Sequence, residues 1–249
     1  MVVKLSRRTA AFAALTPSWE IGGHLQINRR STVVHCSAAK LFPADVVCVE
    51  TSPLPEGLPI HSVEAEAVVR ANAKRRREFA VGRQLARTAL SQLGFTDASI
   101  PVGPERGPVW PIGSVGSISH TDDYCVAVAA LNPPYRSLGI DAEPAVPLEE
   151  ALWAQVCTPA EMRWLEGQAP DARGLLCHIL FTVKECVYKF QAPVSRTLLE
   201  FQDVEVILDP HSRNFTATVV RDGIPGFPHG TPLFGQTLVS DSLILAGIY

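Results

Sequence analysis

A chain of 249 residues, 47% hydrophobic and 19% charged, is long enough for one large domain or two small ones with a full core. Its formal net charge of −3 excludes a global pull toward nucleic acid, so any anion site must come from local clustering of cations. No apolar run approaches the ~20 residues of a membrane-spanning helix. The cysteines (36, 48, 125, 157, 177 and 186) show neither Cys-x-x-Cys nor metal-ligand spacing, so free thiols in a reducing cytoplasm are expected.

The N-terminal segment Ser6-Arg-Arg-Thr-Ala-Ala-Phe-Ala-Ala-Leu15 faintly resembles a twin-arginine export signal. Its apolar part is only about seven residues, and Pro17, Trp19 and Glu20 follow at once. Residues 1–38 are therefore expected to form a poorly ordered extension. Folded sequence begins near Leu41. Residues 46–50 read as a buried strand, and residues 51–59, with Pro53, Pro55 and Pro59, as a loop. A helix is expected over 62–70, and a second over 74–93 that stops at Gly94.

The second helix carries Lys74, Arg75, Arg76, Arg77, Arg83 and Arg87. Helical spacing gathers the arginines into a basic stripe opposite Phe79, Leu85, Ala86 and Leu90. Such a stripe is either a solvated face or a phosphate site, since planar guanidinium groups bind phosphate oxygens in pairs. A turn-rich loop at 103–111 presents Arg106. The Gly/Ser-rich stretch 113–121 is expected to be a turn whose exposed N–H groups, with Ser119, His120 and Thr121, make an anion nest. It is neither a P-loop nor a dinucleotide fingerprint. Residues 124–130 form a strong buried strand.

The short run Ser137-Leu-Gly-Ile-Asp-Ala-Glu-Pro144 reads as a strand ended by Pro144. Alternation puts Asp141 and Glu143 on one face and Ala142 on the other. Adjacent carboxylates repel unless they share a proton or hold a cation, and an all-oxygen pair suits a hard ion such as Mg²⁺. Residues 147–167 are expected to be helical in two pieces, with Thr158 and Glu161 as a capping box and Pro159 at the first helical position. The longest helix is expected over 171–190, ended by Pro193. On it Glu185 and Lys189 share a face, with Lys184 at about 100°. Strands at 201–208, 215–221, 231–239 and 243–248 complete the chain.

Five segments together carry a resemblance: Arg75-Arg-Arg-Glu-Phe-Ala-Val-Gly-Arg83, Arg106-Gly-Pro-Val-Trp-Pro111, Gly116-Ser-Ile-Ser-His120, Gly139-Ile-Asp-Ala-Glu-Pro144 and Phe181-Thr-Val-Lys-Glu-Cys-Val-Tyr-Lys189. In order and spacing they resemble the 4′-phosphopantetheinyl transferases, especially the kind that activates siderophore, nonribosomal-peptide and polyketide synthases. The resemblance covers roughly residues 40–249. It implies a pseudo-dimeric α/β (α+β) fold of two similar halves, 39–137 and 138–249, with coenzyme A bound between them. It also implies Mg²⁺-dependent transfer of phosphopantetheine from coenzyme A to a serine of an acyl or peptidyl carrier protein, including fatty-acid carriers, leaving adenosine 3′,5′-bisphosphate.

By motif position, the resemblance implies that Asp141, Glu143 and Glu185 bind Mg²⁺ (or Mn²⁺) with the pyrophosphate. It implies that Arg75, Arg83, Arg106 and His120 hold phosphates and adenosine, with Ser119 and Thr121 close by. Lys184 and Lys189 would line the phosphate side, and Glu185 and Lys189 would be catalytic. Thr121 stands where close relatives often carry Cys, and Thr182-Val183 where Ser/Cys-Ala is usual; neither removes a ligand. A monomer in the cytoplasm, with no nucleic-acid or membrane partner, is the accompanying expectation. Two alternatives share part of this residue set. Another Mg²⁺-dependent phosphoryl or nucleotidyl transferase would show no affinity for coenzyme A, and an inactive binding module would have no need of three acids.

Overall fold

The computed structural model describes residues 38–104, 106–209 and 212–249; the twin-arginine-like segment and nearly all of the expected N-terminal extension lie outside them. The first half opens with a 3-10 turn, Ala38–Leu41, and strand β1, Val47–Thr51. A short helix α1, Ser62–Ala65, then leads through a 3-10 turn, Glu66–Val68, into the long helix α2, Ala73–Gln92. The Asn72 side chain caps α2 by accepting from the Arg75 N–H at 2.8 Å. At the other end Gly94 takes φ +91°, a left-handed conformation in which glycine meets no steric penalty.

Strands β2, Ser114–His120, and β3, Cys125–Leu131, pair with β1 in the antiparallel order β1-β3-β2. The expected Gly/Ser turn at 113–121 is thus mostly strand, its backbone paired with β3 from Ser114↔Leu131 to His120↔Cys125. Glycine and serine lower strand propensity, but here small side chains are needed. A Cβ on Gly116 would meet Trp110 and the Val128 carbonyl at 2.5 Å.

The second half repeats the plan on a larger scale. Strand β4, Gly139–Pro144, is followed by a 3-10 turn, Glu150–Leu152, and helices α3, Trp153–Val156, and α4, Pro159–Glu166. The capping box on α4 is present: Thr158 Oγ1 accepts from the Glu161 N–H, and Glu161 Oε2 accepts from the Thr158 N–H. Helix α5, Arg173–Ser195, runs past Pro193 and ends at Arg196 with φ +53°. Pro193 removes the one N–H that would bond the Lys189 carbonyl, but the helix closes beyond it with the Arg196 N–H on the Ala192 carbonyl at 2.9 Å. Strands β5 (Val204–Leu208), β6 (Asn214–Val219), β7 (Pro232–Val239) and β8 (Leu243–Ile248) join β4 in the order β4-β8-β7-β6-β5.

Each half is therefore one long helix on an antiparallel sheet, an α+β arrangement of two similar units. Strand β3 explains how they join. Ala127 and Ala129 pack with Ala86, Ala89 and Leu90 of α2, whereas Val126, Val128 and Ala130 pack with Ile140, Ala142 and Leu245 of the second half. Being buried on both faces, β3 reads as an unbroken apolar run. Serine hydroxyls stitch the seam: Ser117 Oγ accepts from the Ile140 N–H at 3.2 Å, and Ser119 Oγ from the Ala142 N–H at 3.1 Å.

Candidate active site at the seam between the halves

On β4, Ala142 enters the shared core and Asp141 faces α5, as alternation requires. The two elements lie unusually close. A Cβ on Gly139 would collide with the Cys186 carbonyl oxygen and stand 3.0 Å from Phe190 Cβ. That approach brings Lys189 Nζ to 2.6 Å from Asp141 Oδ1. Ser119 of β2 completes a triangle: its hydroxyl donates to Asp141 Oδ1 at 2.8 Å and accepts from Lys189 Nζ at 2.9 Å. Asp141 Oδ2 is buried without a hydrogen-bond partner. A buried carboxylate oxygen in that condition is costly unless something cationic reaches it.

Glu185 belongs to the same electrostatic group. Burial first, then the charges of Asp141 and Glu143, push its carboxyl up to about 7, with Lys189 pulling the other way. Burial works against the Lys189 ammonium, but Asp141, by charge and hydrogen bond, and Glu185 outweigh it, so its pKa is raised. Among the described residues no three His, Cys, Asp or Glu side chains are gathered closely enough to cage a metal ion alone. Mg²⁺ does not need such a cage; it usually takes one or two carboxylates and fills the remaining positions with water and substrate phosphate. The partnerless Asp141 Oδ2 and the all-oxygen donor set fit that pattern.

From the first half, Arg75 Nη1 donates to His120 Nε2 at 2.8 Å, which leaves this ring nitrogen as an acceptor. Burial lowers the His120 pKa against the opposing charge of Glu78, and Arg75 and Lys189 lower it further. Glu78 is a site residue that sequence reading missed. It is buried, 3.5 Å from Arg75 and 3.7 Å from His120, and its position one turn after Arg75 was the available signal. His178 was also missed. Its Nδ1 donates to the Val146 carbonyl at 2.6 Å and its Nε2 faces Glu143 Oε2 at 3.8 Å. Seven residues before Glu185, it lies on that residue's side of α5.

Other expected ligands are placed elsewhere. Lys184 does not reach the phosphate side. Its ammonium is buried and donates to Glu161 Oε2 at 2.7 Å and to the Val156 and Phe201 carbonyls at 2.8 Å. Burial lowers its pKa more than Glu161 raises it. Arg83 is 7% exposed, donates through Nε to the Ile100 carbonyl at 2.6 Å, and stacks over Phe79 at 4.5 Å. Burial brings its pKa down to about 10.

The basic stripe of α2 is thus largely consumed by structure. Arg87 forks onto the fully buried Glu64 at 2.8 and 3.0 Å, Arg76 bonds the Val68 carbonyl at 3.0 Å, and Arg77 pairs with Glu56 at 3.1 Å. Thr121 caps the β2–β3 turn, its hydroxyl accepting from the Tyr124 N–H at 3.2 Å. Arg106 is exposed on its loop with φ +64°, and no interaction described among these residues joins it to the acids.

Comparison with known proteins accords with this geometry. Residues 63–130 match the model of the 4′-phosphopantetheinyl transferase N-terminal domain, and residues 137–229 that of the 4′-phosphopantetheinyl transferase superfamily. The chain is 34% identical over 223 residues to 4′-phosphopantetheinyl transferase Npt of Nocardia iowensis, covering 84% of this chain and 97% of that one. It is 36% identical over 220 residues to 4′-phosphopantetheinyl transferase PptT of Mycobacterium tuberculosis, covering 84% and 96%. A shorter match, 34% over 140 residues, covers 55% of this chain and 64% of enterobactin synthase component D of Escherichia coli. With relatives matched over nearly their whole length, the chain belongs to the 4′-phosphopantetheinyl transferase superfamily.

Proposed function

We infer that the seam described above is where this chain moves 4′-phosphopantetheine from coenzyme A to the serine hydroxyl of a carrier-protein domain. The observation that carries the reading is the convergence of both halves on Asp141. Lys189 reaches it from α5, the Ser119 hydroxyl from β2, and its second oxygen is left without a protein partner. Asp141, Glu143 and Glu185 would hold Mg²⁺, or Mn²⁺ in its place, together with pyrophosphate oxygens. When bound, the ion neutralises charge developing on the phosphate oxygens. Lys189 and Arg75 supply fixed positive charge toward the same phosphates, and His120, tied to Arg75, presents a neutral ring beside them.

Glu185 is the proton acceptor of this reading. Beside Asp141 and Glu143, it would take the serine proton directly or through a metal-bound water, a role generally worth about 10²–10⁴-fold. Its raised pKa comes from burial among like charges, and the same surroundings favour a cation there. Polyketide, fatty-acid and nonribosomal-peptide carriers, including those of siderophore assembly, are the proposed acceptors; coenzyme A is the donor. A monomer acting in the cytoplasm is part of the proposal. No described helix is long and apolar enough to cross a membrane.

The test is incubation with coenzyme A, Mg²⁺ and apo carrier proteins of all three types, read by intact mass. A gain of about 340 Da on the carrier, the mass of the transferred arm, is expected. No gain on any carrier type would overturn the reading. Coenzyme A binding measured in parallel separates it from a transferase acting on another donor.

A further inference from the structure

Cys157 and Cys177 lie with their sulfurs 3.5 Å apart, both buried and neither in a disulfide. They come from different elements. Cys157 closes α3 and immediately precedes the Thr158 cap of α4, whereas Cys177 sits in the second turn of α5. A disulfide requires about 2.05 Å between sulfurs, so closing the pair needs a contraction of roughly 1.5 Å between α5 and the junction of α3 and α4.

The pair differs from the other thiols. Burial pushes Cys125 up to about 12 and Cys186 well above its ordinary range, leaving both protonated and inert. At Cys157 a hydrogen bond with Cys177 outweighs burial and lowers the pKa, while the same bond raises that of Cys177. The two thiols thus share one hydrogen bond, and the sulfur that accepts it gains thiolate character. A cavity of about 330 Å³ lies in the same part of the second half, lined by Trp153, Ala154, Met162, Leu165 and Arg173. Trp153 lies one turn before Cys157, and Arg173 one turn before Cys177.

We propose that Cys157 and Cys177 are a redox modification site, closed into an intrachain disulfide by a hydroperoxide such as hydrogen peroxide. The thiolate of the pair attacks a peroxide oxygen, the O–O bond breaks, and the departing hydroxide takes a proton to leave as water. The remaining thiol then attacks the resulting sulfenic sulfur; the S–S bond forms and a second water departs. Two thiols and one hydrogen peroxide thus give one disulfide and two waters, the sulfurs losing two electrons and the peroxide gaining them. The contraction bears on α5 eight residues before Glu185, so the crosslink displaces the helix that carries Glu185 and Lys189. A misplacement of about 1 Å at a reacting group can cost ~10²-fold in rate, and the crosslinked protein is expected to turn over at least about tenfold more slowly.

The experiment treats the whole protein with hydrogen peroxide, blocks remaining thiols under denaturing conditions, and maps peptides without reduction. A Cys157–Cys177 crosslinked peptide is expected, removed by dithiothreitol, with Cys125 and Cys186 still alkylated. The crosslink disappears in Cys157→Ser and in Cys177→Ser, while the wild-type map needs no variant to fold. Both thiols remaining free while the half-buried Cys48 is oxidised, or either pairing elsewhere, overturns the site. A crosslink with undiminished turnover, or with turnover that dithiothreitol does not restore, overturns its bearing on the reaction. Because the peptide map reads no transfer, it stands or falls apart from the proposed function.

Discussion

Lys189 Nζ stands 2.6 Å from Asp141 Oδ1, and Lys184 Nζ, five residues earlier on the same helix, stands 2.7 Å from Glu161 Oε2. The two lysines emerge about 140° apart around α5, five steps of 100°. One therefore serves the seam and the other the core of the second half. Their side chains are 25% and 1% exposed, which separates a contact open to substrate from one sealed into structure.

Substitution of the two lysines should split cleanly. Lys184→Met leaves Glu161 charged and buried, a change that typically costs about 3–5 kcal/mol. Urea unfolding should show that loss, with coenzyme A affinity of the folded fraction unchanged by calorimetry. Lys189→Met should instead slow transfer by about 10²-fold or more. Weakened coenzyme A binding in a Lys184→Met protein of normal stability would return that residue to the phosphate site.

Gly139→Ala tests the close approach of β4 and α5. The new methyl would collide with the Cys186 carbonyl oxygen, which is backbone and cannot rotate aside. Overpacking of this kind costs about 1–3 kcal/mol, and the displaced helix should separate Glu185 from Asp141. Lower thermal stability and lower turnover are expected together. Normal values for both would mean the two elements have room that this geometry denies them.

The His120 environment predicts an acid limb to stability. Burial holds its folded pKa below the ordinary 6.5, so below that value the unfolded chain binds more protons than the native one. This contribution is present above pH 6.5 and is lost as pH falls through the folded value. His120→Gln, which keeps an acceptor for Arg75, should flatten that part of the curve of unfolding free energy against pH. An identical acid limb in the variant would remove His120 as its cause.

Metal removal should halt transfer. Chelation with EDTA is expected to abolish the carrier mass gain, with excess Mg²⁺ restoring it. Asp141→Asn should raise the Mg²⁺ concentration needed for half-maximal rate by at least about tenfold, the scale that even an outer partner of a metal ligand commands. Full activity in chelator would exclude the ion from the reaction.

Much of this protein is written in local pattern. The period of two across Gly139–Pro144 set Asp141 against Ala142, the Thr158/Glu161 capping box marked where α4 starts, and Gly94 marked the end of α2. These features depend on residues at most a few positions apart, so reading along the chain recovers them. The fate of charged side-chain tips is a different matter. On α2 the sequence shows a row of arginines, but which ones remain for a phosphate depends on partners far away. Glu64, 23 residues from Arg87, and the Ile100 carbonyl, 17 from Arg83, are examples.

The same holds for Glu161, whose capping role is local and whose pairing with Lys184 is not. It holds too for His178, whose helical spacing from Glu185 is local but whose neighbour Glu143 is supplied by β4. Hydrophobic and helical periodicities are properties of neighbours, whereas an ion pair is a property of two surfaces brought together. The sequence by itself determined most of the elements, the acids and the family, though not that residues 114–120 are strand. Only the packing of α2 and α5 onto their sheets decided which cations were left to act, because a buried charge must find its partner inside the fold before any can be offered to a substrate.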